Sequence, residues 1–289
     1  MIAPWWAAVA AATSLAIGEL VNRYAFGWLP DDPPRPGRKA HRRPVPLAGV
    51  LLLPTILAWC IPTSAWLLGA GLAVAAAIGL EDDRRKEHVD PLGESGLGWR
   101  VKAAGLLVAA GLVASATLDF GAQPWGWGAV FSLTFVLTNA VNFLDNTDGV
   151  AASLAAAILL LLAYVALPAS PAQAVTAAAG FAAIGFLPFN WPWPRLFLGD
   201  SGAYCLGLCC SYAVCEAAIA DPKWLLATAV PLADFLQVVA MRLWIGVPPW
   251  VGDRRHLTHI ARNLGVPSGW VAPIFAALAA ATALAALAI

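Results

Sequence analysis

Three aspartates in this chain stand where they could hold a divalent cation. Asp82 and Asp83 are adjacent within the charged run 81–86, and Asp200 follows a glycine in Gly199-Asp200-Ser201-Gly202. Adjacent carboxylates repel each other, so keeping both ionised requires a cation or basic neighbours. Carboxylate oxygens suit Mg²⁺, which usually takes one or two of them together with substrate phosphates. The alternatives are a solvated loop for the pair and a helix cap for Asp200.

A second polar cluster runs from residue 139 to residue 149. Four of its side chains recur every three residues: Asn139, Asn142, Asp145 and Asp148. If the preceding helix continued through the cluster, this spacing would place them near one helical face. Amides and carboxylates at membrane depth are costly unless they line a cavity or pair with each other. We therefore interpret the cluster as a binding surface; helix capping would explain Asp148 at most.

Two histidines, His256 and His259, form a third cluster beside the basic pair Arg254 and Arg255. They are three residues apart and share a face if the segment is helical. Histidines can bind metals, donate to phosphates or transfer protons, although loop histidines also occur on surfaces without such a role. Asp234 lies within an apolar segment upstream, and an ionisable group in that setting is a functional candidate.

The elements that must position these clusters are membrane helices. Hydrophobic residues make up 60 % of the 289-residue chain and charged residues 12 %, which is typical of an integral membrane protein. A spanning helix needs about 20 mostly apolar residues, and the sequence predicts about ten. These are 4–28, 45–60, 64–80, 101–118, 125–144, 150–168, 171–189, 202–220, 223–246 and 267–289. We therefore predict an all-α membrane protein with a single domain over residues 1–289, and we expect the five cysteines to be buried free thiols.

The charged residues predict how the helices are oriented. Most of them lie in five segments that occupy every second gap between helices: 30–45, 81–102, 145–149, 191–200 and 242–266. These segments hold 15 of the 17 Lys and Arg residues, so the positive-inside rule places them in the cytoplasm and both termini outside. Tryptophans should form a belt at each membrane surface; Trp191 is assigned to the inner ends and Trp270 to the outer ends.

Together the clusters predict phosphoryl transfer at one membrane face. Carboxylates for Mg²⁺, cationic and imidazole groups for phosphates, and amides for a nucleoside would meet there. Phosphoryl transfer depends mainly on positioning and charge neutralisation, so this set of groups is sufficient for it. A substrate on the membrane side would be a lipid phosphate.

The motifs resemble those of the polyprenyl-phosphate N-acetylhexosamine-1-phosphate transferases, a ten-helix family that includes the phospho-MurNAc-pentapeptide translocase. The resemblance extends from about Arg38 to Gly265 and rests on motifs that occur in the family's order. They are the loop 39–49, the pair Asp82-Asp83, Arg100-Val-Lys102, the Asn-rich stretch 139–149, the F-x-GD-x-G segment 189–202, and Asp234, Arg242 and the histidine motif 253–259.

The resemblance implies a set of site residues. Asp82, Asp83 and Asp200 would be the catalytic acidic residues, with Asp200 and Asp82 as ligands of Mg²⁺, which Mn²⁺ could replace. His256 and His259 would contact the phosphates or the sugar. The residues expected to hold the nucleotide and its phosphates are Lys102, Asn139, Asn142, Asp145, Asp148 and Arg254.

The chain departs from the family pattern at two positions. Asn146 replaces the first glycine of a DGxDG motif, so that turn is expected to differ, and Thr258 stands where many members have a histidine. In a helix, Thr258 would point away from the face that His256 and His259 share, so we expect Thr258→His to change turnover little. The triple-histidine sequence of the phospho-MurNAc-pentapeptide translocase is also missing from this chain. Its absence favours the branch of the family that uses simple UDP-sugar donors.

The predicted protein is therefore an enzyme of the bacterial inner membrane. It would transfer a sugar 1-phosphate, with N-acetylhexosamine 1-phosphate as the leading candidate, from a UDP-sugar to undecaprenyl (polyprenyl) phosphate and release UMP. Expected partners are these two substrates and the lipid bilayer, with a second copy of the chain (a homodimer) as a further option and no nucleic acid. Two alternatives stay open: a secondary transporter, and a CDP-alcohol phosphotransferase, whose motif also contains Asp-Gly.

Overall fold

The computed structural model describes residues 4–24, 29–32, 44–86, 96–117 and 124–289. Within these ranges the chain forms eleven α-helices. They are α1 (Pro4–Tyr24), α2 (Leu52–Cys60), α3 (Trp66–Arg85), α4 (Trp99–Ala116), α5 (Pro124–Leu144), α6 (Val150–Leu161), α7 (Pro171–Asn190), α8 (Gly199–Ala220), α9 (Ala229–Trp244), α10 (Leu257–Asn263) and α11 (Ser268–Ala285). Each of the ten predicted segments contains a helix, and α10 is an additional short one. Residues 39–43, the basic part of the loop 39–49 that resembles the family, lie outside the described ranges.

Six helices of the described chain are long and apolar enough to cross a membrane. They are Trp99–Ala116, Gly126–Leu144, Pro171–Asn190, Gly199–Ala220, Pro222–Trp244 and Ser268–Ala288. Shorter apolar helices cover Val9–Glu19, Gly49–Cys60 and Val150–Ala166. The predicted class, an all-α membrane protein, is confirmed at this level. The number of crossings and the sidedness of the ends stay predictions.

The second predicted helix is shorter than its apolar run. Val45–Pro46 forms a strand, β2, that pairs antiparallel with β1 (Asp31–Asp32), and Gly49–Leu51 forms a 3₁₀ turn before α2 begins at Leu52. Pro44 and Pro46 explain this boundary, because proline removes a backbone donor and restricts the residue before it to extended conformations. The prediction that the chain is helical from residue 45 is therefore wrong for residues 45–48, and residues 49–51 are 3₁₀ rather than α-helical.

Helix α3 is longer than predicted, and this extension positions the candidate site. It continues to Arg85 rather than ending at residue 80, so the acidic run lies on the last turn of a helix. Gly79 lets this turn approach α8 closely, since a Cβ there would lie 2.4 Å from the Cα of Ser201. Helix α8 is the most enclosed of the six candidate spans, and α3 and α5 pack against it.

Two smaller predictions can be checked against the fold. All five cysteines are buried and free, as predicted. The assignment of Trp191 and Trp270 to opposite membrane surfaces is wrong, because Trp191 Nε1 donates to the carbonyl oxygen of Gly269 at 3.0 Å. Trp270 therefore lies at the same end of the bundle as Trp191.

The contact at Gly79 gives a test of the packing between α3 and α8. We expect Gly79→Ala to lower the free energy of unfolding by about 1–3 kcal/mol, because the added methyl would overlap the backbone of α8. Gly128→Ala is the matched control, since a Cβ at this position in α5 meets no atom within 4 Å. It should stabilise the protein slightly through helix propensity. Thermal unfolding of both variants in detergent measures the difference, and equal midpoints would show that the helices do not approach as described.

Candidate functional site

The site is built where α3 ends and α8 begins. Asp82 and Asp83 lie on the last turn of α3, and Asp200 is the second residue of α8. Each of the three can present one carboxylate oxygen such that these oxygens lie within 4.8 Å of one another. The carboxylates of Asp82 and Asp83 are fully buried, whereas that of Asp200 is 13 % exposed. The structure thus brings together the three aspartates that the sequence singled out.

Asp83 caps the start of α8. Its carboxylate accepts the backbone N–H groups of Asp200 (3.0 Å) and Ser201 (3.2 Å), and it also accepts the Ser201 hydroxyl at 3.0 Å. The residue at the N-cap position, Leu198, has no polar side chain, so the carboxylate from α3 satisfies donors that would otherwise be orphaned. The positive end of the α8 dipole also favours negative charge here. Asp83 therefore holds α8 in place as well as contributing to the acidic cluster.

Two lysines neutralise much of the acidic charge. Lys86 Nζ lies 3.3 Å from Asp82, 3.0 Å from Asp83 and 2.7 Å from Asp200. Lys102 Nζ, on α4, lies 3.3 Å from Asp82 and 3.6 Å from Asp200. Burial alone would lower the pKa of Lys86, but Asp200, Asp83 and Asp82 raise it well above its usual value, so this ammonium stays charged. The lysines supply positive charge that offsets the mutual repulsion of the three carboxylates in a buried setting.

Lys86 is a site residue that the sequence analysis did not single out. It follows Asp82 by four residues and Asp83 by three, a spacing that places it beside both on a helix. That signal was present in the sequence, but it depended on knowing that α3 extends beyond residue 80. Tyr204, one turn into α8, was also missed; its hydroxyl donates to Asp200 Oδ2 at 3.2 Å.

The acidic cluster has the features of a metal site. Asp82 Oδ1 accepts the backbone N–H of Leu97 at 2.6 Å, whereas Asp82 Oδ2 is buried without a hydrogen-bond partner in the described chain. Gly96 (φ +90°) lies against Asp82, where a Cβ would be 2.6 Å from Oδ1. Three hard oxygen donors, one of them buried without a hydrogen bond, fit a divalent cation of the Mg²⁺ type.

The Asn-rich cluster lies at the end of α5 and does not form one helical face. Helix α5 ends at Leu144, so Asp145 and Asp148 belong to the following turn, and the expectation of a continuous face is wrong for them. Asn139 remains on the helix and donates to the carbonyl oxygen of Phe135 at 2.8 Å. Asn142 is partly buried on the last turn of the helix.

Asp145 belongs to this cluster, and its pKa is affected by the charges of the acidic site. Its burial, together with the charges of Asp200, Asp83 and Asp148, raises its pKa well above the usual range, while Lys86 acts in the opposite direction. Asp148 is exposed. The turn therefore directs one carboxyl group toward the cluster charges and leaves another at the surface.

Asn190 holds this turn in place through its side-chain hydrogen bonds. The sequence analysis did not single it out as a site residue. Its side-chain oxygen accepts the backbone N–H of Gly149 at 3.1 Å, and its amide donates to the carbonyl oxygen of Leu196 at 3.1 Å. Gly149 has a φ of +74°, which glycine adopts without strain. The connection could not be read from the sequence because it joins segments 41 residues apart.

The histidines lie where α10 begins. His256 is the residue before the helix and His259 lies within it, so they do not both project from one helical face, although their ring centroids are only 6.2 Å apart. Asp234 Oδ2 lies 2.8 Å from His256 Nδ1, and Asp234 Oδ1 accepts the N–H of Leu257 at 2.6 Å. With the carboxylate accepting, Nδ1 carries the proton and Nε2 is available to a ligand. The buried Asp234 thus orients His256.

His259 is more open and is neutral near pH 7. Desolvation lowers its pKa, and the neighbouring His256, Arg262 and Arg254 lower it further, against the opposing effect of Asp234. Arg254 itself is exposed. A neutral imidazole can donate or accept one hydrogen bond at each nitrogen, so His259 is suited to positioning a substrate rather than to neutralising its charge.

A buried arginine holds the loop that carries these residues. Arg242 donates to Asp253 through Nε (3.1 Å) and Nη2 (3.4 Å), and through Nη1 to the carbonyl oxygen of Pro249. Arg255 donates to Asp253 as well, at 2.7 Å. Burial alone would raise the pKa of Asp253, but the hydrogen bonds from Arg242 and Arg255 lower it to about 2. We therefore assign Arg242 and Asp253 to holding the loop rather than to contact with substrate.

Thr258 is not a replaceable surface residue. It is fully buried, and its hydroxyl donates to Asn146 Oδ1. The expectation that Thr258→His would change turnover little is at odds with this burial, because a histidine is larger than the fully buried threonine that it would replace.

The chain has recognisable relatives. Residues 65–218, just over half of the chain, match the model of the family described as Glycosyl transferase family 4. The Decaprenyl-phosphate N-acetylglucosaminephosphotransferase of Mycobacterium leprae is 27 % identical over 86 % of this chain and 73 % of its own length. The Undecaprenyl-phosphate alpha-N-acetylglucosaminyl 1-phosphate transferase of Thermotoga maritima is 28 % identical over 79 % of this chain and 72 % of its own length. The match to the Mycobacterium tuberculosis (strain CDC 1551 / Oshkosh) decaprenyl enzyme, at 27 % identity, covers 67 % of this chain and only 55 % of that relative.

The cap formed by Asp83 predicts that the two adjacent aspartates differ in their effect on stability. The mutual repulsion of the three aspartates would by itself predict that substituting any of them leaves the fold intact; the contacts of Asp83 with α8 contradict this for that residue. Asp83→Ala should lower the free energy of unfolding by roughly 2 kcal/mol or more, because it removes a charge-assisted cap. Asp82→Ala, which removes one such bond and relieves repulsion, should cost clearly less. Thermal unfolding in detergent compares them, and an equal or reversed order would rule out the capping role.

Proposed function

Because this chain belongs to glycosyl transferase family 4, we propose that it transfers a sugar 1-phosphate from a UDP-sugar to a polyprenyl phosphate and releases UMP. The proposal rests mainly on one observation: Asp82, Asp83 and Asp200 form a buried cluster with two lysines at one end of an apolar helix bundle. The names of the relatives support N-acetylhexosamine 1-phosphate as the transferred group and decaprenyl or undecaprenyl phosphate as acceptor. The product would be a lipid-diphosphate sugar that begins a cell-envelope glycan.

The residues that would hold Mg²⁺ are Asp82 and Asp200. Asp83 is less suited, since both of its oxygens already accept hydrogen bonds from α8. When bound, the ion, or Mn²⁺ in its place, supplies positive charge that stabilises the donor pyrophosphate and the leaving UMP. Two observations support this assignment: Asp82 Oδ2 accepts no hydrogen bond in the described chain and lies 3.3 Å from the ammonium of Lys86, and Asp200 is slightly exposed.

The cationic and imidazole groups would bind the phosphates. Lys86 and Lys102 already lie at 2.7–3.6 Å from the carboxylates, so either can donate to a phosphate oxygen placed beside the cluster. His256, oriented by Asp234, would present Nε2 to the same phosphates, and His259 would contact the sugar. Such fixed donors stabilise the charge that develops during transfer without a reorganisation step.

The polar groups at the end of α5 would bind the nucleoside. Asn142 lies on the last turn of α5, and Asn139 lies one turn earlier. Asp145 follows in the next turn, where the charges of Lys86, Asp200 and Asp83 act on it. Amides and a carboxyl group can pair with a base edge or ribose hydroxyls. Asp148 and Arg254, both exposed, would act at the rim of the site.

The two alternative functions fit the structure less well. A secondary transporter places its carboxylates near the membrane midplane, whereas these aspartates occupy the ends of two helices. A CDP-alcohol phosphotransferase would require further spaced aspartates after Asp148-Gly149. The helix that follows, α6, contains none.

The first test is transfer itself. Purified protein with a panel of UDP-sugars and undecaprenyl phosphate should release UMP only when a divalent cation is present. Asp200→Asn should lower turnover at least about 100-fold, which corresponds to roughly 2.7 kcal/mol in the barrier. Asp221→Asn is the matched control, because Asp221 pairs with Lys223 at the opposite end of α8. Release of CMP from a CDP-alcohol, or unchanged cation dependence in Asp200→Asn, would refute the assignment.

The second test concerns sidedness, for which we propose a cytoplasmic site in the bacterial inner membrane. The basis is that 15 of the 17 Lys and Arg residues lie in the five charged segments, which also carry most residues of the candidate site. In a cysteine-free version, Gly252→Cys in the exposed loop before α10 should resist an impermeant thiol reagent in intact cells. Pro222→Cys, exposed at the other end of the bundle, should react. The reverse labelling pattern would invert the proposed topology.

A further inference from the structure

The side chain of Asn146 is held by three hydrogen bonds. Its oxygen accepts the hydroxyl of Thr258 and also that of Thr147 at 2.9 Å. Its amide nitrogen donates to the carbonyl oxygen of Phe143 at 2.5 Å. An amide oxygen has two lone pairs, and both are used, so the orientation of this side chain is fixed.

These bonds join two parts of the site that are far apart in sequence. Asn146 lies between Asp145 and Asp148 in the turn after α5, whereas Thr258 precedes His259 in α10; the two residues are 112 positions apart. Thr258 is fully buried, so its hydroxyl is shielded from competing water. A buried hydrogen bond of this kind is costly to leave unmade.

Phe143 forms a second connection between the same two parts. Its ring lies 5.5 Å from that of His256, edge to face, and 5.1 Å beneath the guanidinium carbon of Arg242. Its carbonyl oxygen is the acceptor of the Asn146 amide. The turn after α5 is therefore anchored to the histidine loop through the Asn146 side chain and through the Phe143 ring.

We propose that the Asn146–Thr258 hydrogen bond is a positioning contact that sets the turn carrying Asp145 relative to the histidines. The proposal rests on the transferase function above and adds two positioning residues to it. It also links both departures from the family pattern: a glycine at 146 would offer Thr258 no side-chain acceptor, and a histidine at 258 would be larger than the buried threonine that bonds to Asn146. The two residues therefore act as a pair in this contact.

The test is a double-mutant cycle with conservative variants. Thr258→Val keeps the shape of the side chain and removes the hydroxyl, whereas Thr258→Ser keeps the hydroxyl. We expect Thr258→Val and Asn146→Ala each to reduce kcat/KM for the UDP-sugar about tenfold, and Thr258→Ser to restore most of it. The double variant should be no worse than the poorer single one, because both remove the same contact.

Thr134→Val is the matched control. Thr134 is equally buried, but its hydroxyl has no hydrogen-bond partner in the described chain, so its loss should not reduce kcat/KM. Thermal unfolding of every variant establishes that all remain folded at the assay temperature, so a loss of kcat/KM reports positioning. Equal activity of Thr258→Val and Thr258→Ser, or losses that multiply in the double variant, would overturn the proposal alone. A folded wild-type protein that transfers no sugar phosphate would overturn the proposed function and this inference with it.

Discussion

The structure depends on keeping three carboxylates together in a buried place. Asp82, Asp83 and Asp200 repel one another, and burial makes the repulsion worse because there is little water to screen it. Two features offset it: the ammonium groups of Lys86 and Lys102, and the positive end of α8, whose first N–H groups bond to Asp83. Only a close approach of α3 to α8 lets Asp83 cap α8. This approach requires the extra turn of α3 and the absence of a side chain at Gly79.

That constraint explains why the chemistry lies at helix ends. A carboxylate in the middle of an apolar helix finds no backbone donors in its own helix and needs partners from another element. At the junction of α3 and α8, backbone donors and lysines are both available. Asp234 lies within α9, but the start of α10 packs against it and supplies the N–H of Leu257 and the side chain of His256. In both places a carboxylate from one helix meets the start of another, which fixes two elements and a reactive group at once.

Hydropathy and charge were enough to predict the helices and the acidic cluster, because burial of apolar runs and avoidance of charge are local properties of a sequence. Boundaries were predicted less well: Pro44 and Pro46 delayed α2, and α3 ran past its apolar stretch to Arg85. The prediction that Asn139 to Asp148 share one helical face was wrong because α5 ends at Leu144. Contacts between distant segments, such as Asn190 with Gly149, leave no periodic signal and could not be predicted from one sequence.

The two departures from the family pattern, at Asn146 and Thr258, are connected to each other in the structure. Asn146 and Thr258 were noted separately, one as an altered turn and the other as a missing histidine, yet their side chains bond to each other. The buried hydroxyl of Thr258 would be left unsatisfied if Asn146 were replaced alone, so the two substitutions are linked. In this chain the pair joins the turn that carries Asp145 to the helix that carries His259, so the two segments cannot shift independently without breaking this hydrogen bond.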